Sequence, residues 1–254
     1  MLQANRISQI TVLSEPALAA IPDIVHGFST RRAEHNEFTV GPLGSENPAV
    51  PMNRARFLDA VGMTGWPLLK LKQTHSGIVR DFRDTLAASQ AVEGDAAITA
   101  LRGAALGVQT ADCVPILIAD RQARVVAAVH AGWRGLAARI VENAVNEIAG
   151  AYGVSPENLT AVIGPHNAVC CYEVGEEVVA AIGEPDAVVR KAEWAKAHLN
   201  QGLAGKKQLL KAGVPEAQIF VSNLCTQCRG DLFYSYRREG KRAGRMLAVI
   251  GILP

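Results

Sequence analysis

Short β-branched runs alternate along this chain with segments of helical spacing. Residues 24–29, 68–71, 96–99, 106–109, 159–163, 219–222 and 246–252 read as strands. Residues 53–61, closed by Gly62, read as a short helix. Leu136, Ile140, Ala144, Val145, Ile148 and Tyr152 keep helical spacing up to Gly153 and predict one helix from Leu136 onward. Further helices are expected at 175–182 and, more weakly, at 195–211, where Gly202 and Gly205 cost about 1 kcal/mol each against alanine. Ser155-Pro156-Glu157 carries a helix-start signature. Residues 33–51 are polar with Gly and Pro and read as a long loop of the kind that is functional or mobile. No repeat, low-complexity tract or linker divides residues 1–254, so the expectation is one mixed α/β domain.

The most informative stretch is TADCVPILIADRQARVVAAVHAGWRG, residues 110–135. Apolar runs at 114–119 and 125–129 flank the polar break Asp120-Arg121-Gln122-Ala123, as in a β-hairpin. A turn centred between Arg121 and Gln122 sets Cys113 directly opposite His130, with Cβ atoms roughly 4.5–5.5 Å apart. A loop of two or four residues keeps that pairing, and an odd loop or bulge breaks it. After His130, Gly132 and Gly135 lead into the predicted helix, whose free N–H groups suit an anion. Arg134 adds a fork matched to phosphate or carboxylate. The competing reading is a core hairpin with an inert cysteine and a hydrogen-bonded histidine.

Other polar clusters stand at strand edges. Gln73-Thr74-His75-Ser76 gains meaning if the fold brings His75 to Cys113 and His130, because two imidazoles and one thiolate leave a fourth position open, as in catalytic zinc sites. Zinc lowers the pKa of bound water to about 7 and so supplies hydroxide at neutral pH. Asp112 then reads as an orienter or a proton carrier, or as a turn residue capping its own loop. Cys225-Thr226-Gln227-Cys228 is a CxxC expected to be structural or incidental, since Cys170-Cys171 has the wrong spacing for the second half of a zinc knuckle. A thioredoxin-like role would place the CxxC at a helix start. The basic residues among 237–242 read as a solvated hairpin tip, with Arg237 as the member that could face a substrate.

Composition narrows the class. Apolar residues make up 49% and charged residues 20%, as in ordinary globular proteins. A net charge of +2, with no basic run interleaved with aromatics, argues against nucleic acid or an anionic membrane as partner. No apolar stretch is long enough to span a bilayer, and the first residues lack a signal-peptide pattern. Five cysteines, two of them adjacent, make a poor disulfide framework and point to a reduced, cytoplasmic protein.

The segments KQTHSGIV, GDAAIT, TADCVPILIAD, AAVHAGWRG, CCYEVGEEV and LCTQC with LFYSYRREG and GRMLAVIG, in this order, resemble the peptidoglycan editing factor family. That family is also called the multicopper polyphenol oxidase (laccase) domain family, or purine nucleoside phosphorylases with adenosine deaminase activity. The resemblance covers residues from about Ile24 to the end. It implies a single-domain α/β sandwich similar to the catalytic fold of a deamidating toxin, cytotoxic necrotizing factor. It implies zinc at His75, Cys113 and His130, with phosphorolysis of adenosine, inosine, guanosine and methylthioadenosine and deamination of adenosine at the same site. A role in editing peptidoglycan precursors is attached to some members. The chain departs from the family pattern at RAEHNEFTVG (32–41), at HNAV (166–169), and at Asn200 and Lys206.

Four functions compete. In the first, a zinc enzyme acts on a nucleoside and phosphate, with Asp112 as proton carrier and Arg31, Gln73 and Arg134 on substrate or phosphate; the nucleobase-deaminase signature H-x-E with P-C-x-x-C is absent. In the second, Cys113 and His130 form a metal-free amide hydrolase acting on muropeptide precursors. In the third, copper replaces zinc in a phenol oxidase. Six histidines, of which His26, His35 and His198 lie outside the motifs, are few for a multicopper cluster. The fourth is a binding module without turnover. The sequence leaves the oligomeric state open.

Overall fold

We describe a computed structural model of the chain that covers residues 1–33, 37–41, 47–83 and 92–254. In chain order it contains β1 (Gln3–Ile7), β2 (Ile10–Ser14), α1 (Pro16–Ala19), β3 (Ile24–Ala33), α2 (Ala49–Ala60), β4 (Leu68–Lys70), β5 (Val79–Asp81), β6 (Ala96–Thr99), β7 (Ala105–Thr110), β8 (Val114–Asp120) and β9 (Val126–Ala131). There follow α3 (Trp133–Ala137), α4 (Ile140–Tyr152), β10 (Leu159–Ile163), β11 (Glu173–Val174), α5 (Glu176–Ile182), β12 (Val188–Val189), β13 (Ala197–Leu199), α6 (Gln201–Lys211), β14 (Ile219–Val221), α7 (Tyr236–Glu239) and β15 (Met246–Ile252). One six-stranded sheet runs β1-β2-β3-β15-β7-β4 and a second runs β14-β10-β8-β9-β6-β5, while β11, β13 and β12 form a small third sheet.

The alternation of each strand decides what it packs against. Leu117 and Ala119 of β8, with Val126 and Ala128 of β9, meet Leu106, Val108, Ala248 and Ile250 between the two sheets. Ile116, Ile118, Ala127 and Val129 point the other way, onto Leu136, Val141, Val145, Ile148 and Leu209 of the helices. On the outside of the first sheet, Leu247 and Val249 bury against Phe57 and Leu58 of α2. Strands β7, β8, β9, β10 and β15 are buried on both faces and so read as largely apolar runs. The result is a mixed α/β sandwich.

The hairpin forms, with its turn shifted. The ladder closes on Asp120 and Val125, with Asp120 N–H donating to the Val125 carbonyl at 3.0 Å. The buried Asp120 carboxylate draws Arg124 into the turn (Nε at 2.6 Å), so the four-residue loop is Arg121–Arg124. Pro115 therefore pairs with His130, and Val114 with Ala131. The expected pairing of Cys113 with His130 is off by two residues. A two-residue shift preserves the face, so the two side chains stay diagonal neighbours on one side.

Other elements differ from expectation. The single helix after Gly135 is two, because Arg139 adopts a left-handed conformation (φ 57°) and the Asn143 side chain donates to the Ala138 carbonyl at 3.2 Å, re-aiming α4. Residues 197–199 are strand rather than helix, and α6 begins only where the Asn200 side chain caps Leu203 N at 3.0 Å. Pro156–Asn158 forms only one 3₁₀ turn. The expected hairpin tip at 237–242 is α7, capped by the Ser235 side chain, followed by a 3₁₀ turn. Of the expected loop 33–51, residues 34–36 (with His35) and 42–46 lie outside the described residues, and α2 already begins at Ala49.

Candidate metal centre

Three segments converge at one end of the sandwich. The chain crosses from β4 in the first sheet to β5 in the second through residues 71–78, and His75 lies on this crossing with φ 59°. Cys113 immediately precedes β8, and His130 lies on β9. One potential ligand atom from each of the three lies within 4.8 Å of the other two. Cys113 Sγ is 3.9 Å from His75 Nε2, and the two imidazoles meet edge to face at 4.9 Å. Gly132 stands opposite Cys113, and a Cβ there would lie 2.9 Å from His75 Cδ2 and 3.0 Å from Cys113 Sγ. The glycine is what lets the three side chains close up.

Asp95 holds this arrangement, and the sequence reading gave it no role. It is fully buried. One carboxylate oxygen accepts from His75 N–H at 3.0 Å and lies 2.8 Å from His130 Nδ1. The other accepts from the N–H groups of Thr74 (3.1 Å) and Ser76 (2.7 Å) and from the Ser76 hydroxyl (2.7 Å). Its main-chain carbonyl accepts from His130 N–H at 2.7 Å. Burial alone would raise its pKa, but the bonds from His130 and Ser76 hold it well below the usual carboxylate range. With Nδ1 engaged by a carboxylate, His130 presents Nε2, the arrangement typical of metal-ligating histidines. Burial opposes charge on His130, yet the Cys113 thiolate and Asp95 push it up to about 9. Burial likewise opposes a thiolate at Cys113, yet His130 and His75 draw it down to about 6. Two imidazoles, an ionised thiolate and an oriented histidine fit a divalent metal with one coordination position left open.

A cleft of about 550 Å³ opens above these residues, lined also by Gln73, Gln109, Trp133, Arg134, Tyr172, Tyr236, Arg237 and Arg245. Trp133, Tyr172 and Tyr236 give it aromatic walls. Arg134 lies over the Trp133 ring at 4.3 Å, and Arg237 over Tyr172 at 5.1 Å. Among the described residues, no carboxylate pairs with Arg134, Arg237 or Arg245 within 4.0 Å.

The remaining expected site residues divide. Arg134 and Arg237 face the cleft. Gln73 lines it too, but both ends of its amide are spent on Gln109: Nε2 donates to the carbonyl and Oε1 accepts the N–H, each at 2.8 Å. Asp112, at φ 93°, accepts from Thr226 Oγ1 (2.7 Å), Ser235 Oγ (3.0 Å) and Arg237 N–H (2.6 Å). Both of its carboxylate oxygens are engaged in tying loops together. Arg31 is not among the lining residues; its guanidinium pairs with Glu37 and with Glu239 (2.8 Å). Gln109 was missed. Its Nε2 donates to the Val40 carbonyl at 2.8 Å, and its buried Oε1 has no partner. A glutamine closing an otherwise apolar buried strand was the available signal.

A cleft at the end of a two-sheet α/β sandwich, with titratable ligands at its floor and aromatic walls, defines an enzyme for small molecules. The chain belongs to the multi-copper polyphenol oxidoreductase laccase family, which it matches over residues 25–253. It is 33% identical to a protein of Bacteroides thetaiotaomicron named purine nucleoside phosphorylase, over 95% of this chain and 96% of that one. It is 40% identical to a protein of an unknown prokaryote named adenosine deaminase, over 70% of this chain and 72% of that one. The crystal structure of YlmD from Geobacillus stearothermophilus superposes with a TM-score of 0.86 at 28% identity, covering 99% of each chain. The chain is thus an enzyme of this family. No helix among the described residues is long and apolar enough to cross a membrane.

Proposed function

We propose that this protein is a zinc-dependent purine nucleoside phosphorylase that also deaminates adenosine. The observation that supports this most directly is the pairing of aromatic walls with three guanidiniums that have no carboxylate partner among the described residues, directly above the His75–Cys113–His130 set. Aromatic faces suit a purine. Unpaired guanidiniums suit phosphate. Zinc bound by the three ligands would supply Lewis-acid chemistry. In phosphorolysis a phosphate oxygen bonds to C1′ as the bond to the purine nitrogen breaks; the base leaves with the electron pair and takes up a proton. In deamination water replaces the C6 amino group and ammonia leaves. Arg134 holds the phosphate, and Asp112 is a positioning residue for Cys113 and Arg237.

A second reading rests on a separate observation. The Cys113 thiol is drawn down to about 6 beside His130, as in a cysteine hydrolase. Such a metal-free enzyme would cleave an amide, as editing of peptidoglycan precursors requires, and the expected likeness to a deamidating toxin belongs with it. Copper in the same ligands is the oxidase alternative. Metal analysis of the purified protein beside its His75→Ala variant separates all three, because only metal lost with His75 belongs to this site.

The test of the first reading is Arg134→Ala assayed on both reactions. A charge-assisted contact contributes roughly 1.5–3 kcal/mol, so phosphorolytic kcat/KM should fall about ten- to a hundredfold while deamination changes little. Equal losses would give Arg134 to the nucleoside or the fold. Base release indifferent to phosphate would end the phosphorylase reading.

A further inference from the structure

The CxxC cysteines were expected to be structural or incidental because no second pair stands at knuckle spacing. The fold supplies that pair from a different segment. Cys170 and Cys171 lie in the turn after β10, Cys225 and Cys228 in the loop after β14, and a bridge between His166 and Cys225 aligns the two segments. All four sulfurs lie within 4.8 Å of one another. Cys228 Sγ is 3.3 Å from Cys171 Sγ and 3.6 Å from Cys170 Sγ.

We propose that Cys170, Cys171, Cys225 and Cys228 form a second metal site, a closed four-thiolate zinc centre distinct from the open one. The separations carry the argument. Zinc binds thiolate at about 2.3 Å, so the sulfurs of a tetrahedral site stand about 3.8 Å apart along each edge. The separations of 3.3 and 3.6 Å fall within about 0.5 Å of that value and the others stay under 4.8 Å, whereas a disulfide requires about 2.0 Å. With every pair this close there is room for one ion at the centre. The local backbone is built for a thiolate: the N–H of Ala168 approaches Cys225 Sγ at 3.5 Å, and the N–H groups of Gln227 and Cys228 also turn toward it. Four soft donors with no open position select zinc and make the site structural. Each thiol gives its proton to solvent as the ion binds.

The position explains what such a staple does. Thr226, between the two CxxC cysteines, donates to the Asp112 carboxylate. Asn167, three residues before Cys170, donates its N–H to the Asp112 carbonyl at 2.9 Å. Tyr172, next to Cys171, walls the cleft. One ion joining the two loops would hold three contacts of the open site together.

The experiment is a zinc count on reduced, purified protein without substrate, so it is independent of the nucleoside reading. The parent chain should carry two zinc ions. Cys225→Ser/Cys228→Ser should carry one, and His75→Ala should also keep one. Because loss of two ligands can unfold the cysteine variant, the His75→Ala chain gives the second measurement: its remaining zinc should resist a mild chelator and be released as an organomercurial titrates its five thiols, and cobalt in its place should show the intense absorption of a four-thiolate site. One zinc in the parent and none in His75→Ala would overturn the proposal, as would a disulfide among the four cysteines under reducing conditions, or copper in place of zinc.

Discussion

Replacing Asp95 by asparagine removes one acceptor oxygen from the group that positions two of the three ligands of the open site. An amide oxygen left facing His130 and His75 puts the amide NH₂ against the N–H groups of Thr74 and Ser76 and the Ser76 hydroxyl, all donors. At least two hydrogen bonds to a charged acceptor are lost, at about 1.5–3 kcal/mol each, for a cost of roughly 3–6 kcal/mol. In a domain of this size that lowers Tm by roughly 6–24 °C. His130 also loses the carboxylate that fixes its ring, which typically weakens metal binding by about ten- to a hundredfold. The assay is thermal melting of metal-free and zinc-loaded protein, with zinc affinity measured by competition against a chromophoric chelator. The zinc-induced gain in stability should shrink by about 1.4–2.7 kcal/mol at fixed free zinc. An Asp95→Asn chain that melts within a degree of the parent and binds zinc within twofold of it would refute this account of Asp95.

Three further outcomes follow from single contacts. Gly132→Ala should lose most of its affinity for metal at the open site while folding normally, since its Cβ would press on His75 and Cys113 and its φ of −73° is ordinary; equal zinc affinity in the variant would show that the ligands have slack. Gln109→Met gives up the bond to the Val40 carbonyl, worth about 0.5–1.5 kcal/mol, so Tm should fall by no more than about 6 °C, and a larger drop would show that the amide holds more than that contact. His26 is buried with its Nε2 accepting Glu15 N–H at 2.9 Å, and burial pushes it down to about 4. Its folded pKa lies below the unfolded one, so its stabilisation is complete above about pH 6.5 and is lost as pH falls toward 4, by roughly 3 kcal/mol at most; the Tm of His26→Gln should fall less over that range, and parallel Tm profiles would contradict it.

The central hairpin was legible because β8 and β9 are apolar throughout and the turn is polar. Its register was not, because one buried carboxylate, Asp120, decided which residues enter the loop. The shared face of Cys113 and His130 survived the error only because the shift was even. His75 needed the family resemblance, since nothing local says that a crossing between sheets ends beside β9. Asp95 sat inside GDAAIT as an ordinary turn residue, and its role depends on backbone groups twenty residues earlier that no pattern displays. The N-terminal hairpin went unread because β1 is exposed at every position and leaves no apolar trace. Cys170 and Cys171 failed the spacing rule because the rule is written for partners close in sequence, and here the fold makes the pair.

His75 rides the segment that passes from one sheet to the other, while Cys113 and His130 belong to the second sheet alone. His75 and Cys113 are separated by 38 positions. An unfolded chain therefore offers no compact chelate, and the open site comes into being only when the two sheets have docked. A metal at this site would be a late arrival, and the ion taken up would be whichever one the finished fold meets at sufficient activity. Two imidazoles and a thiolate bind copper more tightly than zinc when both are offered equally. On that reading the same polypeptide would leave a zinc-rich compartment ready for one kind of chemistry and a copper-rich buffer loaded for another, and the history of a preparation would become part of its identity.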